Sequence, residues 1–196
     1  MRYADHWPQL AKWWDAMQIL PSRLAEVERA RDYAVDHQDI YEQIGNATNV
    51  PWAMLACLHW RESGGNFNTY LGNGQLLTQR TTIVPIGRGP FTGRLPDLNA
   101  FVTGGIDAVK QEGWGAIIDW RLEKQLFYME AYNGPGYYMR SLPSPYLWGA
   151  TSVQQPGKYT GDGRFDPSAV DSQIGCAPML QLIAQTANLQ LVRESA

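Results

Sequence analysis

"VPWAMLACLHWRESGGNF", Val50 to Phe67, opens apolar and closes in one charged pair, a serine and two glycines. Pro51 suits the first turn of a helix, where its missing N–H is no loss, and Asn49 ahead of it is a candidate N-cap. The spacing predicts a helix running to about Ser63, stopped by Gly64-Gly65. Leu55, Leu58, His59 and Glu62 fall at i, i+3, i+4 and i+7, so Glu62 is expected on the face that carries the apolar side chains. It also falls at the negative end of the helix dipole. Partial burial and the dipole both favour the protonated acid, the form that donates a proton to a leaving oxygen. The competing reading is a last solvated residue neutralised by Arg61.

Outward from this helix, residues 5–18 and 22–44 read as N-terminal helices, the second capped by Ser22. "GNATN" (45–49) reads as a turn. Beyond the glycine pair, "LLTQRTTIVP" (76–85) is β-branched and strand-like, and "GRGPFTGR" is turn-rich, which predicts a small hairpin with long loops. A short helix is expected in "GIDAVKQ" (105–111). A strong one is expected from Ala116 to about Tyr132, with Ile118, Leu122, Leu126 and Met129 as its apolar stripe. Residues 141–168 read as loop, and a last helix spans about Ala177 to Leu191. The fold class is therefore α+β, mainly α-helical, organised as N-terminal helices (1–44) packed on a domain formed by 45–196.

The chain has 196 residues, 44% hydrophobic and 18% charged, enough apolar material for a core. A net charge of −3 and the lack of a basic run argue against nucleic acid as a partner. Arg80, Arg88 and Arg94 lie in the segment 63–96, which has no acidic residue and no lysine; a polar loop with scattered charges is favoured over an anion-facing patch. Cys57 and Cys176 are too few for a disulfide framework or metal cluster; Cys57 reads as a buried thiol, and pairing of the two stays open. Asp5, His6 and Pro8 interrupt any signal-peptide core, and no run is apolar enough to span a membrane, so a soluble cytoplasmic product is expected. His6, His37 and His59 lack metal-ligand spacing, and "DGRFD" (162–166) is an incomplete calcium loop, so neither metal nor cofactor is expected. Eight tryptophans and ten tyrosines suit sugar-lined grooves as well as cores.

A second motif, "EAYNGPG" (130–136), ends the later helix. Asn before Gly is a good helix C-cap, and Tyr is common in cores. Together with "RESGGNFN", however, it resembles the goose-type lysozymes and lytic transglycosylases, in which a Glu-Ser pair ends a long apolar helix and an Ala-Tyr-Asn motif follows. The resemblance covers roughly residues 45 to 135 and implies a lysozyme-like fold and a muramidase activity on the β-1,4 link between N-acetylmuramic acid and N-acetylglucosamine. It implies Glu62 as general acid, Ser63 orienting substrate or acid, and Tyr132 and Asn133 lining the cleft with Tyr132 near Glu62. The family's Gly-Leu-Met-Gln motif is absent; "LGNGQLL" is the nearest stretch and makes Gln75 a cleft-lining candidate.

Hydrolysis usually takes a second carboxylate. Asp97 and Asp107 are the candidates, each competing with a role as helix cap or dipole partner. The transglycosylase branch needs one glutamate alone. Tyr146 and Trp148 are either sugar-stacking residues or a lid on the core. The implied partner is peptidoglycan glycan, bound by a monomer with no membrane insertion. A phage-lysin role fits, although the mild negative charge does not help binding to an anionic wall. Chitinase-type hydrolysis and a non-catalytic wall-binding or virion structural module are the alternatives.

Overall fold

The computed structural model describes residues 1–92, 99–161 and 163–194. Among them the chain is mainly helical with one small antiparallel sheet: α1 (Tyr3–Ala16), α2 (Leu24–Asp36), α3 (Gln38–Thr48), α4 (Trp52–Ser63), α5 (Asn99–Gln111), α6 (Leu122–Asn133), α7 (Pro145–Trp148), β1 (Lys158–Gly161), β2 (Arg164–Asp166) and α8 (Cys176–Thr186). They form two compact units, one of Met1–Asp32 with Arg121–Ala196 and one of Tyr33–Trp120. The division falls inside α2, and α3 runs across the 44/45 position at which the sequence suggested a boundary.

In the discontinuous unit α1 packs on α6, and α7 packs on α6 and α8. Leu10, Val27, Ala30, Leu122, Leu126, Met129, Leu147 and Trp148 are fully enclosed. The final residues strap this unit together. Leu122 N donates to Val192 O (2.8 Å), Arg193 reaches both Glu123 and Asp15, and Tyr3 Oη donates to Glu194 Oε2 (2.7 Å). Glu123 is buried, so these bonds supply the charge compensation that a carboxylate away from water needs.

The sheet pairs Tyr159 with Phe165 in 158–166, a stretch expected to be loop. The expected hairpin at 76–85 is not formed; an isolated Thr69–Leu76 bridge and a series of turns take its place. The physical reason is local. Thr81 Oγ1 donates to Pro85 O and accepts from Arg88 N, and Gln75 binds the 82–83 backbone, so side chains satisfy groups that a ladder would otherwise pair.

The other boundaries shift for similar reasons. The helix expected over 22–44 is two: His37 leaves the helical region (φ −117, ψ 21) and its Nδ1 hydrogen-bonds Tyr33 O at 2.8 Å. The expected turn at 45–49 is the end of α3, and Asn49 (φ 63) terminates α3 instead of capping α4. The α5 helix begins earlier than expected, and α8 ends at Thr186. The helix expected from 116 begins only at Leu122, leaving Ile118 90% exposed, while Leu122, Leu126 and Met129 keep their inward places.

Candidate functional site

The continuous unit is built around α4. Every side chain from Ala53 to His59 is buried, so this helix is enclosed all round instead of along one stripe. Exposure begins abruptly at Trp60, and Arg61, Glu62 and Ser63 are half-buried. Glu62 therefore owes its position to the emergence of a central helix, not to the apolar face assigned from i+3/i+4 spacing. α3 packs on both α4 and α5, and the Gly105 backbone comes so close that a Cβ there would meet Ile44 Cδ1 at 2.4 Å.

The helix stops as the glycines predicted. Gly64 is left-handed (φ 63, ψ 26), its N–H donating to Trp60 O at 2.8 Å, and Gly65 follows at φ 80. Tyr33 Oη donates to Gly65 O at 2.6 Å, and a Cβ on Gly65 would lie 2.6 Å from Tyr33 Cε1. Two residues on, the Phe67 ring sits against Tyr33, His37, Tyr41, His59 and Phe101. The chain leaving Glu62 is thus held by one hydrogen bond and an aromatic cluster. Ser63 Oγ donates back to His59 O (3.2 Å), so its hydroxyl is engaged by its own helix.

His59 lies one turn before Glu62 with no exposed surface. Its Nδ1 shares a 2.9 Å hydrogen bond with Tyr41 Oη. Burial pushes the imidazole down to about 4, with His37 adding to the depression against an opposing Asn66 backbone contribution. It is a neutral core histidine at pH 7.

The loop after Phe67 returns to the helix end: a Cβ on Gly74 would be 3.6 Å from Glu62 O. This brings the backbone beside Gln75 to the candidate acid. The Gln75 carboxamide itself is occupied, accepting from Thr82 N (2.8 Å) and Ile83 N (3.2 Å) and donating to Thr82 Oγ1 (2.9 Å). Its role in the structure is to tie the loop.

Asp107 lies within α5, so neither a cap nor a first-turn dipole role applies. Arg88 clamps it through Nε to Oδ2 (2.9 Å) and Nη2 to Oδ1, and Tyr70 Oη donates to Oδ2 at 2.8 Å. Burial works to raise this carboxyl, but the Arg88 and Tyr70 bonds outweigh it and hold it below its ordinary value. Both oxygens of this second-carboxylate candidate are committed to holding 70–88 against α5. Asp97 and Arg94 lie outside the described residues, as does Asp162 of "DGRFD". Arg80 donates to Gly87 O (3.1 Å), so neither described arginine forms an unengaged anion-facing patch.

Tyr132 and Asn133 belong to the other unit, as the last two residues of α6; Tyr132 is half-buried and Asn133 exposed. Glu62, Ser63, Gln75 and Asp107 share the continuous unit. Tyr146 and Trp148 are buried, which settles their alternative in favour of the core. Cys57 and Cys176 are buried in different units. Among the described residues no cluster of His, Cys, Asp and Glu could hold a metal ion, and no helix is long and apolar enough to cross a membrane.

Two constellations went unseen in the sequence. In the discontinuous unit His6 Nε2 meets Glu130 Oε2 at 2.6 Å, both side chains buried, beside a cavity of about 220 Å³ lined in part by Trp13 and Tyr138. The partners are 124 residues apart, so no spacing rule finds them. In the continuous unit a groove of about 490 Å³ opens at the start of α4, flanked by Trp52 and Trp120. Its signal was the tryptophan count alone. Comparison of the chain with protein-family models, curated proteins and solved structures finds no match in any of the three.

Proposed function

We propose that this chain is a lysozyme-like, peptidoglycan-cleaving glycosidase in which Glu62 is the general acid at the β-1,4 link between N-acetylmuramic acid and N-acetylglucosamine. The observation that carries the reading is the delivery of Glu62. A helix buried from Ala53 to His59 surfaces over its last turn, which carries one carboxylate, and the next residues are pinned by Gly64, by the Tyr33–Gly65 bond and by the Phe67 cluster. A proton donor needs such fixed placement, because general acid catalysis depends on holding hydrogen-bond distance to the leaving oxygen. The "EAYNGPG" motif on α6 supports the same reading by resemblance, with Tyr132 and Asn133 as glycan-contacting residues.

The engagement of Asp107 by Arg88 and Tyr70 counts against it as the second carboxylate, and two branches of chemistry follow from Glu62. In the single-glutamate branch Glu62 protonates the glycosidic oxygen, then takes a proton back as the sugar's own hydroxyl closes an anhydro ring. In the hydrolytic branch a water replaces that hydroxyl and a second carboxylate assists.

Purified peptidoglycan treated with wild type and with Glu62→Gln tests the assignment. Loss of at least 100-fold in glycan release is expected on the scale of general acid catalysis, and equal release by both proteins would overturn it. Mass spectrometry of the products distinguishes anhydro from reducing ends. Sedimentation with the wall, without cleavage by wild type, would make the chain a wall-binding module instead.

A further inference from the structure

The groove at the N-terminal end of α4 lies wholly within the continuous unit and far from Glu62. Trp52 and Glu62 are ten residues apart on one helix, about 15 Å at 1.5 Å per residue. Its volume of about 490 Å³ falls in the ~300–1,000 Å³ range of small-ligand sites. α3 supplies Glu42 and Asn46, the connection supplies Asn49 and Pro51, and the two tryptophans come from either side in sequence.

Each part is placed for recognition. Trp52 and Trp120 are half-buried and both line the groove, and Trp120 is braced edge-on against Trp114 at 6.2 Å. Asn49 Nδ2 donates to Ile117 O (2.9 Å), which anchors the segment leading to Trp120 and leaves the amide oxygen as an acceptor. Asn46 is exposed, with neither end of its carboxamide engaged among the described residues. Gln38 Nε2 donates to Glu42 Oε1 (2.7 Å), and Glu42 lines the groove. Among the described residues no lysine or arginine lines it.

Flat indole faces beside carboxamides and a carboxylate, without a cation, match one ligand chemistry. A pyranose presents an apolar C–H face for the indole and a rim of hydroxyl or acetamido groups that donate to Asn and Glu oxygens and accept from Asn N–H. A sugar carboxylate or phosphate would meet Glu42 without a counter-charge. We infer that this groove binds a neutral pyranose, of the N-acetylglucosamine type, as a non-catalytic glycan-holding site at the opposite end of α4 from Glu62. Among the described residues Glu42 is the carboxylate that lines the groove, without a second one to complete an acid–base pair, so the role inferred is holding sugar.

The test uses the full chain carrying Glu62→Gln, so that no cleavage consumes the probe, and titrates it with triacetylchitotriose while indole N–H signals are followed by NMR. Saturable shifts of the Trp52 and Trp120 signals are expected, with binding weakened at least tenfold in Trp52→Ala, partly restored in Trp52→Phe, and weakened severalfold in Asn46→Ala. A hexuronate oligomer of equal length should leave both signals in place. Unmoved Trp52 and Trp120 signals, or equal affinity in Asn46→Ala and its parent, would overturn the inference; Asn46 is exposed, so that variant keeps the test valid if Trp52→Ala does not fold. The inference is separable from the proposed activity. Sugar binding here with no peptidoglycan cleavage by wild type sinks the activity alone, and cleavage with silent indoles sinks this site alone.

Discussion

Acidification should loosen the protein through His59, by an amount the structure fixes. An unfolded histidine titrates near 6.5, whereas burial holds the folded imidazole at about 4. Between those values the unfolded chain binds a proton that the folded chain refuses, so stability is lost as pH falls from about 6.5 to about 4 and this loss is complete below that. At about 1.4 kcal/mol per pH unit, the displacement amounts to on the order of 3 kcal/mol. The control is His59→Phe, which suits the surrounding Tyr41, Phe67 and Phe101 rings but does not titrate. It leaves the Tyr41 hydroxyl without its 2.9 Å partner and should cost about 1–3 kcal/mol at pH 7.5. Urea unfolding of both proteins from pH 7.5 to 4.5 measures the difference. The wild-type advantage should shrink by about 2–3 kcal/mol across that range. A difference that stays constant with pH would refute the buried, neutral histidine.

Four further outcomes follow, three from the same unit and one from the discontinuous unit. Gly64→Ala should cost about 1 kcal/mol, for left-handed backbone with open space around it, and Gly65→Ala about 2–4 kcal/mol, because its Cβ also displaces the Tyr33 ring and its hydrogen bond; denaturant midpoints that rank them in the opposite order would contradict the wedge. Arg88→Met removes both arginine bonds to Asp107 and leaves Tyr70 as its remaining partner, so amide exchange at Thr81 and Leu77 should quicken about tenfold or more while α4 amides are unchanged. The Arg88–Asp107 pair should weaken as pH falls below the ordinary carboxylate range, because the lowered Asp107 pKa stabilises the fold only while the group is ionised. Arg193→Ala leaves the Glu123 carboxylate buried without its cation and should destabilise by about 3 kcal/mol; Glu123→Gln in the same background should recover part of it in thermal unfolding.

The sequence was most legible where backbone chemistry is local. Pro51 and Gly64 bound α4 to within a residue, and Cys176-Ala-Pro178 opens α8 much as proline in a first turn should. Legibility failed where side chains replaced the expected backbone pairing. Thr81 and Gln75 made turns of a β-branched run, while Tyr159 pairs with Phe165 in a stretch whose prolines and glycines read as loop. In the candidate site Glu62 and the stop behind it were readable. The commitment of Ser63, Gln75 and Asp107 to internal bonds was not, because each partner is set by folding and not by spacing. Trp52 and Trp120 are 68 residues apart and share a groove whose Trp120 side is anchored by the bond from Asn49 to Ile117, a contact that no spacing rule predicts.

The discontinuous unit imposes an order on synthesis. Tyr33–Trp120 emerges from the ribosome as a continuous stretch and has all of its own contacts once Trp120 is out. Met1–Asp32 was made earlier but must wait for α6, and then for Arg193 and Glu194 to close the strap on Asp15 and Tyr3. At about 5–20 residues per second that last interval lasts roughly 4–15 s. Until α6 is out the nascent chain carries an N-terminal helix whose apolar stripe has no cover, and for the rest of that time the α1–α6 pair stands without its strap, the interval in which a chaperone has most to hold.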